Sequence, residues 1–195
     1  MKRAEKRGHL LDVAAELFNR FGYRAIGIDQ VIEASGVAKT TLYRHFNSKE
    51  ELIVAVLERM DERFRDDMRQ YVERHGAEPV QRILATFDFL ADWFGNPRFY
   101  GCPFINAAGE YSERNSPVFH AAILHKRLMV AYFEELARAA HLAEPKRVAE
   151  EINLLHEGAI AVAHITGDAG TALKARNVAR RVVQAPLEPH LLESE

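Results

Sequence analysis

The sequence has little cysteine and no long hydrophobic run. Cys102 is the single cysteine among 195 residues, which excludes a disulfide framework within the chain and fits a reducing cytosol. No apolar stretch approaches the roughly 20 residues needed to span a bilayer, and the first residues lack the small-residue cleavage site of a signal peptide. We therefore expect a soluble, cytoplasmic protein that does not enter a membrane.

Signatures of metal binding and catalysis are also missing. No HExxH, CxxC or EF-hand spacing occurs, and neither a Ser/His/Asp set nor a glycine-rich phosphate loop can be recognised. Among the nine histidines, His120 and His125 are five apart and His156 and His164 are eight apart. Neither spacing brings two ligands together on one turn of a helix. We expect core or surface histidines, and no catalytic residue, metal or cofactor.

No alternating Val/Ile/Thr run or Asn-Gly turn predicts a β-strand, whereas helical periodicity is plentiful. One apolar face of the first helix comprises Leu10, Val13, Ala14, Leu17, Phe18 and Phe21, and this helix ends at Gly22. Two short helices follow, the second beginning near Lys39. Later helices are predicted near 48–74, 77–94, 103–113, 117–142, 145–167 and 170–184. The pattern predicts an all-α protein of about nine helices.

Charge is distributed unevenly along the chain. Residues 1–49 carry a net charge of +4, and the remainder carries −6. This asymmetry predicts that only the N-terminal head meets a polyanion. The helix after it spans about 27 residues, or about 40 Å, which is too long for the head alone. We predict a DNA-binding domain over 1–49, a connecting helix over 50–74, a second domain over 75–185, and a frayed tail over 186–195.

Three short helices in the head have the layout of a helix-turn-helix. Gly36 supplies the backbone freedom that the tight turn needs, and Val37 fills the angle between the two helices. Leu42 and Phe46 are predicted to anchor the last helix from behind. In this motif the second helix lies in the major groove of DNA, so the polar side chains beside those anchors are predicted to face DNA.

The stretch "ELFNRFGYRAIGIDQVIEASGVAKTTLYRHFNSKEELI" resembles the TetR/AcrR family of bacterial transcriptional regulators. The resemblance implies an all-helical homodimer with an N-terminal DNA-binding domain and a C-terminal domain for ligand binding and dimerisation. It implies phosphate contacts from Tyr43, His45 and Lys49, and positions near the bases for Thr40, Thr41 and Arg44. Lys39 also faces DNA in this interpretation. The family often has Thr or Ser where this chain has Ile26-Gly27, so Arg24 or backbone amides would supply that phosphate contact.

The segment "RFYGCPFINAAGEY" and the residues just before it combine aromatic walls with few polar groups, which is typical of a ligand pocket. The predicted pocket residues are Trp93, Phe94, Cys102, Phe104, Asn106 and Tyr111. Plain core packing is the alternative. Cys102 precedes a helix that starts at Pro103, where the helix dipole favours a thiolate, so a thiol sensor of electrophiles or oxidants is a further alternative.

The predicted helix over 145–167 is apolar on more than one side, and such a helix is buried on two faces. One face serves the domain core, and the other is predicted to meet a second subunit. The predicted interface residues are Ile152, Leu155, Ala159, Val162 and Ala163. The alternative is a helix wholly internal to one chain.

These features together predict a dimeric transcriptional repressor. We expect it to bind a palindromic operator in double-stranded DNA and to leave that operator when a small-molecule effector binds. The alternatives are a ligand-independent DNA-binding scaffold and the cysteine-based sensor of the same fold. A small enzyme has the least support.

Overall fold

The computed structural model describes residues 3–184, with side chains from Glu5 onward. Within this range no residue lies in a β-strand, and the predicted all-α fold is confirmed. Most predicted helix ends agree with the structure to within three residues. The predicted tail, 186–195, lies outside the described residues. The nine helices of this range are α1 (Arg3–Phe21), α2 (Ile28–Ser35), α3 (Lys39–Tyr43), α4 (Lys49–His75), α5 (Pro79–Phe94), α6 (Pro103–Glu110), α7 (Pro117–Ala139), α8 (Pro145–Thr166) and α9 (Thr171–Gln184).

The chain forms two compact units. Unit 1 comprises residues up to 70 together with 96–129, and unit 2 comprises 71–95 together with the residues from 130 onward. α4 and α7 each contribute residues to both units. Residues 96–129 therefore group with the helix-turn-helix, although the sequence analysis assigned them to a C-terminal domain. The functional boundaries predicted after residues 49, 74 and 185 stay predictions.

The apolar face of α1 is confirmed over most of its length. Leu10, Ala14 and Phe18 are almost fully buried. The prediction is wrong for Phe21, whose side chain is 52% exposed. Phe21 is the last residue of α1, and the Arg20 guanidinium lies 4.9 Å from the centre of its ring. Its ring therefore lies against the Arg20 side chain at the end of the helix and not in the core.

The helix-turn-helix is formed by α2 and α3. Gly36 joins them with a φ of +63°, a left-handed conformation that favours glycine. Val37, Leu42 and Phe46 are all buried, as predicted. The Phe46 N–H donates to the Leu42 carbonyl at 3.0 Å. One more helical turn therefore follows the end of α3 and keeps both anchors on the same side.

The start of α2 compensates for its missing side-chain cap. Gly27 occupies the cap position and has no side chain that could accept a hydrogen bond from the helix. The Gln30 side chain reaches back instead, and its Oε1 accepts the Gly27 N–H at 2.7 Å. One of the two hydrogen bonds of a capping box is thus present.

α4 is capped and bound to α1 by polar contacts. Ser48 Oγ accepts the Glu51 N–H at 3.1 Å, so the Ser48 side chain caps this helix. Asp12 of α1 forms ion pairs with both Arg59 and Arg63. These contacts orient the first part of α4 within unit 1.

In unit 2, α9 packs against α5 and α8. Two buried polar side chains meet in this unit, where His156 Nε2 lies 2.8 Å from Thr86 Oγ1. The rings of Phe87 and Phe133 lie 4.2 Å and 4.7 Å from the His156 ring, centre to centre. His156 is therefore a core histidine, in agreement with the sequence analysis.

α8 has one buried and one exposed apolar face. Ile152, Ala159 and Ala163 are no more than 3% exposed within the single chain. These three side chains pack within their own unit and leave almost no surface for a partner. The structure therefore corrects the prediction that they meet a second subunit. Of the predicted set, Leu155 is half-buried and Val162 is 49% exposed. The sequence could not separate the two faces because both are apolar.

Candidate nucleic-acid interface

The solvent-facing side of α3 is polar, whereas its opposite side is buried. Leu42 is fully buried and Phe46 is 2% exposed, so both anchor the helix from its inner side. The predicted DNA-binding residues lie around them. Lys39, Thr40, Tyr43 and Arg44 are exposed, and Thr41, His45 and Lys49 are half-buried. The structure therefore brings all seven predicted residues together around one short helix.

Three of these side chains have no partner of their own. Thr40, Tyr43 and Arg44 make no side-chain hydrogen bond or ion pair within residues 5–184. Tyr43 is 45% exposed, which is high for an aromatic side chain in a folded protein. Open donors on an exposed surface are the groups that phosphate oxygens and base edges require.

The two lysines of the surface differ in their surroundings. Lys39 Nζ forms an exposed ion pair with Asp29 Oδ1 at 2.9 Å, and this hydrogen bond raises the pKa of the lysine. Lys49 Nζ donates to the Arg24 carbonyl at 2.9 Å, and partial burial lowers its pKa. Lys49 thereby holds the start of α4 to the loop between α1 and α2.

That loop is fixed by a residue which the sequence analysis missed. The Glu110 carboxylate, at the end of α6, accepts the N–H groups of Tyr23 and Arg24 at 2.8 Å and 2.6 Å. In return, Arg24 Nε donates to the Glu110 carbonyl at 2.6 Å. Arg24 is therefore bound to Glu110. Its side chain is not simply free to supply the phosphate contact that a Thr or Ser in place of Ile26-Gly27 would make. No local pattern indicates this link, because its partners are more than 80 residues apart.

Tyr23 belongs to this loop, and its side chain is packed inside unit 1. Its side chain is fully buried, and its hydroxyl donates to Asn19 Oδ1 at 3.0 Å. Burial raises the pKa of the phenol, and the nearby Cys102 and Glu110 raise it further. The neutral hydroxyl is thus a structural donor that supports the loop from inside unit 1.

The predicted ligand residues divide between the two units. Trp93 and Phe94 belong to unit 2, where their rings lie 5.9 Å apart. Cys102, Phe104, Asn106 and Tyr111 belong to unit 1. Within unit 1, Cys102 and Phe104 are buried, and Asn106 Nδ2 donates to the Tyr100 carbonyl at 2.9 Å. Asn106 therefore stabilises the turn before α6.

Phe104 packs in a buried polar cluster. Its ring stacks on His125 with a centroid distance of 3.6 Å. His125 Nδ1 lies 2.7 Å from Asp61 Oδ1, and Arg65 donates to the same carboxylate. Burial alone would raise the pKa of Asp61, but the hydrogen bonds from His125 and Arg65 outweigh it and lower the pKa. This arrangement favours the core-packing alternative for Phe104.

Cys102 has a basic neighbour. Lys126 Nζ donates to Cys102 Sγ at 3.3 Å, and the thiol is 5% exposed. Burial of the thiol limits the access of reagents. Among residues 5–184, no group of three His, Cys, Asp or Glu side chains is placed to hold a metal ion. None of the helices α1 to α9 is long and apolar enough to cross a membrane.

Two family models match the chain. One, described as bacterial regulatory proteins of the tetR family, matches residues 10–56. The other, described as a tetracyclin repressor-like C-terminal domain, matches residues 79–179. The first match contains the whole candidate interface, from α2 through the start of α4.

Proteins similar to this chain are named as transcriptional activators or regulators. The transcriptional activator FasR of Mycolicibacterium smegmatis is 40% identical over 46% of this chain, which corresponds to 42% of the length of FasR. The transcriptional regulator LmrA of Bacillus subtilis is 28% identical over 82% of this chain and 87% of its own length.

Solved structures extend the likeness to nearly the whole chain. A TetR-family regulator from Streptomyces coelicolor is 26% identical with a TM-score of 0.84, covering 94% of this chain and 90% of that one. A second, from Chloroflexus aurantiacus, is 26% identical with a TM-score of 0.81, covering 94% and 96%. The chain therefore belongs to the TetR family and is a DNA-binding transcriptional regulator.

Proposed function

We propose that the chain acts as a homodimer that binds a palindromic operator through the outer surface of α3. The observation that best supports this proposal concerns the exposed side of α3, opposite the buried anchors Leu42 and Phe46. There the polar side chains of Thr40, Tyr43 and Arg44 have no partner among the described residues. Two such helices placed about one DNA turn apart, roughly 34–36 Å, read the two halves of a palindrome.

The residues divide by role. Thr40, Thr41 and Arg44 contact base edges, and Arg44 is the best candidate to read guanine through two hydrogen bonds. Phosphate contacts come from Tyr43, His45 and Lys49, with Lys39 beside them. Phosphate contacts position the protein, and base contacts select the sequence.

The test begins by sequencing the DNA that the protein retains from a genomic pool. The triple variant Lys39→Ala/Tyr43→Ala/Arg44→Ala should then bind the selected DNA at least about 100-fold more weakly. The control, Lys146→Ala/Arg181→Ala, removes the same number of positive charges from exposed positions of α8 and α9. Equal affinity of the triple variant and the wild type in a fluorescence anisotropy titration would disprove this site.

Dimerisation is proposed through the exposed face of α8 and adjoining residues of α9. Five exposed apolar or small residues of α8 share one helical face, at intervals of four, three, one and three residues: Leu154, Gly158, Ala161, Val162 and Ile165. Leu154 and Ile165 are 70% and 84% exposed. A Cβ placed on Gly158 would meet no atom within 4 Å, which leaves room for a close helix contact.

Charge substitution tests this interface. We expect Leu154→Glu/Ile165→Glu to sediment as a monomer and to lose palindrome binding, because two buried charges oppose association. Leu124→Glu is the matched control, since Leu124 is also exposed, at 54%, but lies on α7. A wild-type protein that sediments as a monomer at micromolar concentration contradicts the proposal.

The regulator is further proposed to be a cytoplasmic repressor without catalytic activity that releases DNA on binding a small molecule. The match of residues 79–179 to a tetracyclin repressor-like domain supports this, although relatives are named both as activators and as repressors. A ligand that binds one conformation better than the other weakens DNA binding reciprocally. If no compound in a screen changes DNA affinity, the ligand-independent scaffold takes its place.

A thiol sensor is the second candidate, because Lys126 Nζ donates to Cys102 Sγ. In that case an electrophile should release DNA from the wild type but not from Cys102→Ser. Titration of the native protein with a thiol reagent separates the two versions. A thiol that reacts only after denaturation leaves the reversible ligand as the signal.

A further inference from the structure

Unit 1 contains a polar pocket beside the candidate DNA interface. Its volume is about 400 Å³, and it is lined by Arg24, Glu50, Tyr111, Glu113, Asn115, Ser116 and Pro117. The walls come from the loop between α1 and α2, the first turn of α4, and the segment that joins α6 to α7. Of the predicted ligand residues, Tyr111 alone is among the lining side chains, so this site differs from the aromatic one predicted from sequence.

The charges of the pocket are only partly balanced. The Arg24 guanidinium lies 4.9 Å from the centre of the Tyr111 ring, and its Nε is bound to the Glu110 carbonyl. The Glu50 and Glu113 side chains make no hydrogen bond or ion pair with another residue of the described chain. The pocket therefore has two unpaired carboxylates and one guanidinium that is already bound. This excess of negative charge favours a cation over an anion as its occupant.

The remaining lining groups suit a short chain with a second polar end. Partial burial raises the pKa of Tyr111, and Glu50 raises it further, so its hydroxyl stays neutral at physiological pH. The Asn115 amide also has no partner among the described residues. The Pro117 ring offers a small apolar surface between these polar groups.

We propose that this pocket binds a small aliphatic amine, whose ammonium group is held by the carboxylates of Glu50 and Glu113. Charge-assisted hydrogen bonds of this kind are about twice as strong as neutral ones. The second end of the molecule hydrogen-bonds to Tyr111 and Asn115. The site neighbours Lys49, whose acceptor is the Arg24 carbonyl, so an occupant lies next to a residue of the candidate DNA interface.

Three five-carbon probes test the proposal by calorimetry on the full-length protein without DNA, at constant ionic strength. Cadaverine carries two ammonium groups, 1,5-pentanediol is its neutral counterpart, and glutarate carries two carboxylates. We expect saturable binding of cadaverine with one site per chain, and no saturation by the other two. Because DNA is absent, failure of this test does not depend on the proposed operator binding.

Matched variants locate the binding site. Glu50→Gln/Glu113→Gln should weaken cadaverine binding at least about tenfold, because it removes both charged acceptors but keeps their shape. Glu73→Gln/Glu150→Gln removes two exposed carboxylates elsewhere and should leave the affinity unchanged. Circular dichroism and thermal melting establish that each variant is folded.

Three results would overturn the proposal. The first is no saturation by cadaverine up to about 10 mM, which is weaker than specific binding requires. The second is an equal loss of affinity in the pocket and control variants, which indicates non-specific attraction to an acidic surface. The third is binding of glutarate in preference to cadaverine, which makes the pocket an anion site centred on Arg24.

Discussion

Two parts of unit 1 use similar polar side chains for opposite purposes. Along α3, Thr40, Tyr43 and Arg44 have no partner among the described residues. Around α6, Asn106 is bound to a backbone carbonyl, and His125 is bound to Asp61. Both parts rest on buried apolar residues. The difference shows that pairing within the chain, more than residue type, separates a recognition surface from a structural network.

The largest expected effect is on stability, at Asp61. Asp61→Ala leaves the buried His125 and the Arg65 guanidinium without their shared carboxylate. Removal of one partner from such a buried pair costs about 3 kcal/mol of free energy of unfolding, which urea denaturation measures. Asp66→Ala, at an exposed position of the same helix, is the control. Equal free energies of unfolding of the two variants would contradict the claim that Asp61 belongs to a structural network.

The same residue predicts a pH dependence. The pKa of Asp61 is lower in the folded protein than its ordinary value, so its stabilisation is complete above the unfolded pKa of about 3.9. It is lost as pH falls through the lower, folded pKa. Below about pH 4, the free energy of unfolding should therefore fall more steeply in the wild type than in Asp61→Asn. Parallel curves contradict the assignment.

Arg44 should show the reverse behaviour. Arg44→Ala removes an exposed, unpaired side chain and should change the free energy of unfolding by less than about 0.5 kcal/mol. It should cost about 2 kcal/mol of binding to the selected operator and relax the preference at one base pair. Competition with single-base operator variants measures this. A uniform loss across all sequences assigns Arg44 to phosphate instead.

The sequence predicted α3 and its buried anchors well because the relevant signals are local. Leu42 and Phe46 are four residues apart, and Gly36 marks the turn before them. α8 was harder, because Ile152 faces inward and Leu154 outward although both are large and aliphatic. Periodicity detects an apolar face, but it cannot decide which of two apolar faces the rest of the chain covers.

Glu110 was missed for a different physical reason. Its contacts with the backbone of Tyr23 and Arg24 are set by how α6 packs within unit 1, and no short-range pattern encodes them. A backbone N–H group can donate to any carboxylate, so neither Tyr23 nor Arg24 identifies Glu110 in advance. Contacts of this kind appear only in the folded chain.

Glu110 joins the two parts of the unit, and its variant tests whether they are coupled. Glu110→Gln keeps the shape but weakens two charge-assisted hydrogen bonds to the loop before α2. We expect about tenfold weaker operator binding with every α3 side chain intact, which corresponds to about 1.4 kcal/mol. Glu113→Gln, three residues further on, should bind the operator normally. Unchanged affinity of Glu110→Gln would show that the loop holds its position without this residue.

The smallest effect is expected at the exposed ion pair between Lys39 and Asp29, which lies within the recognition surface itself. Exposed pairs contribute little to stability, so Asp29→Asn should leave the melting temperature unchanged. Loss of the carboxylate frees Lys39 for phosphate, and operator affinity should rise about twofold, with a salt slope steeper by up to about 0.9.

The same substitution made in a Lys39→Ala background is the control, because a double-mutant cycle isolates the pair. There it should leave the salt slope unchanged. An equal gain in both backgrounds means that Asp29 acts by repelling DNA directly, and a loss in both means that it orders α2 for binding.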